Sequence, residues 1–276
     1  MNRFAIALVI GALSSYPVFG GVVFEVETTD HEQSSPKAET TEVAAEGKNL
    51  KMNIRSGNRG SDGDMIFRGD RREMVVIDHD DKSYYLMDEE TLSSIAGQVN
   101  QALSQVQEAL KQVPEDQRAM VEKMMKQHLP GETEKREPPK LRKTSERAEK
   151  GGYPCLKYEV SRDDQKIREL WVTDWSQIEG GGEAKEAFQS LAGFFAEMME
   201  SFESVSGTGG FPSHLEDNPF AYMKDLDGFP VVTRELGDDG SLESESVLRS
   251  SQRRSLDPEE FEPPSGYKRR TMGPLN

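Results

Sequence analysis

The residues best suited to chemistry lie in one short acidic turn. His79 stands between Asp78 and Asp80, so the turn offers carboxylate oxygens and an imidazole nitrogen that could hold a cation. Asp78, Asp80 and Glu89 also match positions one, three and twelve of a calcium-binding loop. On this interpretation the turn is a metal site.

The rest of the same segment favours a solvated hairpin turn. Lys82 and Ser83 stand where a calcium loop needs a ligand and a glycine, and residues 84–87 have the composition of a strand. The other three histidines show no recurrent spacing: His31, His128 and His214. The sequence therefore predicts no metal site and no cofactor.

Cys155 is the only cysteine, so the chain cannot form an intramolecular disulfide. A reactive thiol is one interpretation of this residue. However, Cys155 stands between Pro154 and Leu156 without a neighbouring base. We favour a buried, small core residue.

The usual catalytic signatures are missing from the sequence. It contains no phosphate-binding Gly-x4-Gly-Lys-Ser/Thr, no His-Glu-x-x-His, no Gly-x-Ser-x-Gly and no Cys-x-x-Cys. Gly207 and Gly209 begin a dinucleotide-like pattern, but Pro212 occupies the third glycine position, which favours a linker. We predict no catalytic residues and no enzyme activity, with an unrecognised hydrolase as the remaining alternative.

The elements around these residues begin with strands. Leu50, Met52 and Ile54 alternate with polar residues. This pattern is typical of a strand with one buried face and one solvent-exposed face. The segments 65–67, 74–77 and 84–87 are instead apolar at consecutive positions, so both of their faces must be covered. Short polar connections between them predict an antiparallel meander.

Further strands are predicted in the second half of the chain. Residues 155–160 and 167–174 form a second meander, and residues 229–236 and 242–250 form a last hairpin around an Asp-Asp-Gly turn.

Two regions have helical periodicity instead. In the first, at about 89–129, apolar residues step by three or four and Pro114 separates two amphipathic helices. The second, at about 183–202, carries an apolar stripe that is rich in Phe and Met. One hypothesis is that this stripe lines an apolar ligand cavity; the alternative, which we favour for any single residue, is that it simply fills the core. The stripe consists of Phe188, Leu191, Phe195, Met198 and Phe202.

The first twenty residues have the pattern of a signal peptide. Arg3 is followed by an uncharged apolar run at 4–13, and residues 14–17 interrupt a helix. A membrane anchor is the alternative, but the run is well short of the ~20 apolar residues that cross a bilayer. We expect cleavage between Gly20 and Gly21, and a periplasmic or secreted protein of a Gram-negative bacterium with no transmembrane span in the mature form.

The chain is acidic, with 34 Lys and Arg residues against 50 Asp and Glu residues and a formal net charge of −16. This charge repels nucleic acid and argues against electrostatic binding to anionic membranes. We favour a role of this charge in solubility over an acidic binding face.

Several segments resemble the Domain of Unknown Function 4412 family of exported bacterial proteins. The resemblance implies a fold rather than an activity, because the family has no established catalytic residues to transfer. More distantly, the pattern is similar to the periplasmic lipoprotein-carrier fold, in which a curved antiparallel sheet wraps around helices and leaves an apolar cavity. The matching segments are 65–69, 76–78, 82–85, 152–158, 170–172, 228–230 and 261–267.

Together these patterns predict an α+β protein with a single β-rich domain at 21–268. Its curved antiparallel sheet forms a half-barrel with amphipathic helices on the concave face, interrupted by flexible loops at 130–140 and 203–217 and followed by a tail at 269–276. We predict an envelope protein that binds or carries an apolar, lipid-like ligand. The alternative is a non-catalytic protein–protein interaction module with an envelope protein as its partner.

Overall fold

The computed structural model describes residues 20–32, 36–54, 62–91, 139–206, 220–223 and 225–271, with 93, 94, 97, 98, 101, 104 and 105. The side chains of residues 54, 199–206, 220 and 221 are outside this description. Most of the predicted signal peptide and of the predicted insertion at 89–129 also lies outside it, although the described residues between 89 and 105 are helical.

The described fold contains twelve strands, two α-helices in the second half of the chain, two 3-10 helices (Trp175–Gln177 and Pro258–Phe261) and the helical residues between 89 and 105. The two α-helices are α1 (Gly181–Ser206) and the short α2 (Phe220–Met223). The strands are β1 (Gly21–Asp30), β2 (Lys37–Glu46), β3 (Asn49–Ile54), β4 (Gly63–Arg68), β5 (Glu73–Asp78), β6 (Ser83–Met87), β7 (Lys140–Lys150), β8 (Tyr153–Arg162), β9 (Gln165–Thr173), β10 (Phe229–Leu236), β11 (Leu242–Arg254) and β12 (Lys268–Arg270).

All twelve strands belong to one curved sheet that does not close. Its order is β12-β6-β5-β4-β3-β2-β1-β11-β10-β9-β8-β7, so β12 and β7 are the edges. Neighbouring strands are antiparallel except for β12, which pairs with β6 in parallel. The sheet is therefore mixed, whereas the sequence predicted a purely antiparallel one.

Helix α1 packs on one face of the sheet and forms the largest core with it. Phe188 contacts Phe24 and Phe229, with ring centroids 6.2 and 5.7 Å apart, and Phe194 lies 5.5 Å from Phe67. None of the helices in the described part of the chain is long and apolar enough to cross a bilayer.

The other face of the sheet carries two smaller apolar clusters. One contains Ile66 and Val75, and is covered by Leu256 and Phe261 from the segment that follows β11. We call this covering segment, residues 255–271, the C-terminal strap. The other cluster, on β8 and β9, packs against Tyr222 of α2.

Strands β2, β7 and β12 were not predicted from the sequence, each for a physical reason. Strand β7 reads KLRKTSERAEK and is mostly exposed, because an edge strand outside the core needs no apolar alternation. Strand β2 buries only its last third, so most of its length is polar.

Two predicted boundaries also differ from the structure. Helix α1 runs to Ser206 rather than ending near Phe202, because no glycine or proline stands between Phe202 and Ser206. The predicted tail begins inside β12, because Lys268, Arg269 and Arg270 pair with the edge of β6 through backbone hydrogen bonds that are independent of side-chain type.

Candidate functional site

The face of the sheet that carries α1 is apolar well beyond the helix. Cross-strand register aligns Phe24, Val43, Met52, Met65, Val76 and Tyr85 in one row across six strands. Directly opposed residues of neighbouring strands point to the same face, so their side chains are neighbours. This face therefore carries a continuous apolar row that crosses the strands.

Burial changes along this row. Phe24 and Val43 are 0% and 6% exposed beneath the helix, whereas the next four residues are only half-buried. We call these four the half-buried row: Met52, Met65, Val76 and Tyr85.

Helix α1 lies beside the half-buried row and meets it at Met52 and Met65, which line a void together with Phe188 and Leu191. Gly180, just before the helix, approaches Val22 of β1, and Glu197 near the other end forms an ion pair with Arg72 in the turn between β4 and β5. The helix thus crosses the sheet near one end of these strands. The neighbouring row beneath it is correspondingly buried: Val22, Ala45, Leu50, Phe67 and Met74.

The space left between the helix and the sheet is very small. A void of about 10 Å³ lies there, lined by apolar side chains that include Met52, Met65 and Phe188. That volume holds about one water molecule, far below the roughly 300 Å³ of a small-ligand pocket. In the described part of the chain, α1 therefore fills this end of the face rather than roofing a cavity.

The residues of the predicted ligand stripe lie together in this core. Phe188, Leu191, Phe195 and Met198 are 8%, 1%, 5% and 3% exposed, and the side chain of Phe202 is outside the described residues. Their place is beneath the helix, and their role in ligand binding stays a prediction.

Charged residues border the apolar core on the β7–β9 side. The ring of Trp171 lies 4.7 Å from the Lys150 Nζ and 5.7 Å from the Lys157 Nζ. Burial disfavours the charged form of Lys157, yet its pairs with Glu169, at 3.2 Å, and Glu146, at 3.3 Å, raise its pKa above the usual value. These contacts keep the lysine charged next to apolar surface.

The acidic turn of the sequence connects β5 and β6. Its His79 Nδ1 lies 3.0 Å from the Tyr267 hydroxyl of the strap, and its Nε2 lies 3.4 Å from the Asp64 Oδ2. The Asp78 carboxylate accepts a hydrogen bond from the backbone of Asp81, which is the local bonding of a hairpin turn. Among the described residues, no group of acidic, His or Cys side chains is arranged to hold a metal ion.

Cys155 is 3% exposed in β8, within the core beneath the helix. Burial raises the pKa of its thiol, although Lys150 partly opposes this effect. A protonated, enclosed thiol is a poor nucleophile.

No protein-family model matches the sequence, and no curated protein matches it either. The resemblance to the Domain of Unknown Function 4412 family therefore stays a prediction.

Several solved structures are distantly similar. One is an uncharacterized conserved protein from Thermus thermophilus, with 7% identity, a TM-score of 0.43 and coverage of 92% of each chain. Another is MucB, with 8% identity, a TM-score of 0.34 and coverage of 90% of this chain but 59% of that one. A third is a LolA superfamily protein from Nitrosomonas europaea, with 11% identity, a TM-score of 0.26 and coverage of 87% and 88%. Likenesses this distant carry no conclusion about ligand or activity.

The half-buried row was not identified from the sequence as a candidate site. Its signal was present, because the strands that supply Met65, Val76 and Tyr85 are apolar at consecutive positions. That pattern shows that both faces avoid water, but it does not show which face a helix leaves partly open.

Proposed function

We propose that the protein is a non-catalytic binding protein of the bacterial envelope that holds an apolar, lipid-like ligand. In this proposal the face that carries α1 is the concave face of the sheet, and the ligand lies on the half-buried row beside the helix. The observation that carries the proposal is this row, which extends the helix-covered core as half-buried apolar surface.

The composition of the row suits a variable apolar ligand. Met52 and Met65 face each other across β3 and β4, and unbranched Met side chains adapt to differently shaped partners. Each methylene that a ligand buries there contributes about 0.8 kcal/mol. A chain of ten carbons can therefore bind measurably, even after the ligand has lost translational, rotational and conformational entropy.

The small void explains why we place the ligand beside the helix. A ligand beneath α1 would have to displace Phe188 and Leu191, which are 8% and 1% exposed. Displacing such close-packed side chains costs several kcal/mol. The half-buried row is partly exposed, so a ligand can lie on it without displacing a fully buried side chain of the described residues.

Export of the protein remains part of the proposal and is supported by the apolar run at 4–13. The alternative, a protein-interaction module, is based on the acidic surface and on the exposed helices predicted at 89–129. Most of that segment lies outside the described residues, but those described between 89 and 105 are helical and mostly exposed.

Titration calorimetry with decanol tests the ligand proposal. We expect binding to the wild-type protein and about tenfold weaker binding to Met65→Gln, which places an amide in the row. Leu141→Gln is the matched control, because Leu141 is a partly buried apolar residue that packs against the cluster on β8 and β9. Absence of decanol binding, or equal losses in the two variants, would overturn the proposal.

A further inference from the structure

We infer that the ligand is an anionic amphiphile, with its apolar chain along the half-buried row and its acidic head group bound by Arg270. This inference rests on the proposed function and specifies the class of ligand. It comes from the end of the row at the sheet edge, where apolar side chains give way to a cation.

The register of β12 places Arg270 in line with the row. Met52 opposes Met65, Met65 opposes Val76, and Val76 opposes Tyr85. Tyr85 is in turn the register partner of Arg270 on the edge strand β12. Register partners on neighbouring strands point to the same face, so the two side chains are neighbours, and Tyr85 is among the groups that raise the pKa of Arg270.

The row is long enough to hold an extended alkyl chain. Met52 and Arg270 are four strand spacings apart, which is roughly 19 Å at about 4.8 Å per spacing. An apolar chain lying across the strands would contact three apolar side chains and then the Tyr85 ring before its head group reached Arg270. The phenol has an apolar ring and a polar hydroxyl, which suits the boundary between chain and head group.

The local charge at this edge opposes the overall charge of the protein. The chain has a net charge of −16, yet all three residues of β12 are basic and exposed. An anionic head group would therefore meet three cations at this edge, beside the carboxylates of Asp81 and Asp88.

Arg270 has capacity for a further anion. Its only carboxylate contact among the described residues is Asp81, at 3.1 Å, and the two side chains are 47% and 54% exposed. Exposed pairs of this kind contribute little to stability. The guanidinium has five N–H donors, so it can bind a carboxylate or phosphate while the pair with Asp81 persists or exchanges with water.

The test compares ligands that share one chain and differ in head group. Binding of decanoate, decyl phosphate, decanol and decyltrimethylammonium is measured by calorimetry, below the concentrations at which they form micelles. The proteins are the wild type, Arg270→Gln and the control Arg269→Gln. Arg269 is the register partner of Tyr84 and so lies on the opposite face of the same strand.

We expect the wild type to bind at least one of the two acids up to about fivefold more tightly than decanol, because water still screens an ion pair with the exposed Arg270 guanidinium. The preference should fall to within about twofold in Arg270→Gln and persist in Arg269→Gln. A stronger response to decanoate indicates a carboxylate ligand, and a stronger response to decyl phosphate indicates a phosphate ligand.

Failure of this inference differs from failure of the proposed function. If decanol binds and Met65→Gln weakens it, but the acids bind no more tightly, the function stands and the anionic head group is wrong. The same conclusion holds if Arg269→Gln loses the preference as fully as Arg270→Gln. If none of the four compounds binds, the proposed function is itself overturned.

Discussion

At the scale of single residues, Asp64 shows how this sheet tolerates a buried carboxylate. The residue is 5% exposed in β4, and its carboxylate oxygens lie 2.7 Å from the Asn53 Nδ2 and 3.1 Å from the Lys51 Nζ. Burial disfavours the charged carboxylate, but these contacts and the nearby His79 together hold the pKa of Asp64 below its usual value. The carboxylate thus stabilises the fold while it is ionised.

This carboxylate predicts a specific pH dependence of stability. Because the pKa of Asp64 is lower in the folded state, its contribution is complete above the unfolded pKa of about 4 and is lost as the pH falls through the folded value. We expect Asp64→Asn to lower the free energy of unfolding by about 1–3 kcal/mol at pH 7. The difference from the wild type should shrink below about pH 4.

Urea unfolding of both proteins between pH 3 and pH 7 measures this difference. Asp80→Asn serves as the control, since Asp80 is an exposed acidic residue in the neighbouring turn. A loss of stability in Asp64→Asn that stays constant across this pH range would contradict the assignment.

At the scale of elements, the start of α1 depends on a close approach between backbone and sheet. Gly180 has a φ of +69°, and its carbonyl accepts the hydrogen bond from the backbone of Ala184 that begins the helix. A Cβ atom at Gly180 would lie 2.6 Å from the Cβ of Val22 in β1. Only glycine combines this backbone conformation with this contact.

Alanine substitutions at two nearby glycines should therefore have opposite effects. Gly180→Ala should destabilise the protein by about 1–3 kcal/mol, because a side chain at positive φ is strained and Val22 must also move. Gly182→Ala, inside the helix, should leave stability unchanged or raise it by up to about 1 kcal/mol. Its added Cβ would meet no atom within 4 Å.

Thermal unfolding followed by circular dichroism compares the two variants with the wild type. Equal melting temperatures for Gly180→Ala and Gly182→Ala would show that the helix does not begin against β1 in this way.

At the scale of the whole molecule, the C-terminal strap covers one of the two apolar clusters on the second face of the sheet. Leu256 and Phe261 are 6% and 4% exposed over the cluster of Ile66 and Val75. Glu262 pairs with both Arg68 and Arg71 at the turn between β4 and β5. The last part of the described chain thereby covers apolar surface formed by its first third.

Loss of the strap should expose this surface. We expect Phe261→Ala to lower the free energy of unfolding by about 3–5 kcal/mol. A chain that ends at Arg254 should bind the apolar dye ANS more strongly than the wild type. A chain that ends at Thr271 keeps the whole strap and serves as the control.

Fluorescence titration with the dye and urea unfolding measure these effects. The strap is not a cover of the sheet if the chain ending at Arg254 folds with wild-type stability and without added dye binding.

The sequence alone was enough to predict most strands and the position of α1. Apolar residues alternate with polar ones in β3 and recur every three or four residues around Phe188. These spacings follow from the geometry of a strand and of a helix, so each one shows which side chains share the buried face. Strands β2 and β7 were missed because their residues are largely solvated, and a strand held mainly by its backbone leaves no such pattern.

The candidate site and the strap required the tertiary structure. Periodicity identifies an apolar face but not what covers it, so the burial of Phe188 and the partial exposure of Met65 could not be separated in advance. Arg270 and Tyr85 are 185 positions apart in the chain, and only the pairing of β12 with β6 brings them together. Contacts over such distances depend on the path of the chain, which no local pattern encodes.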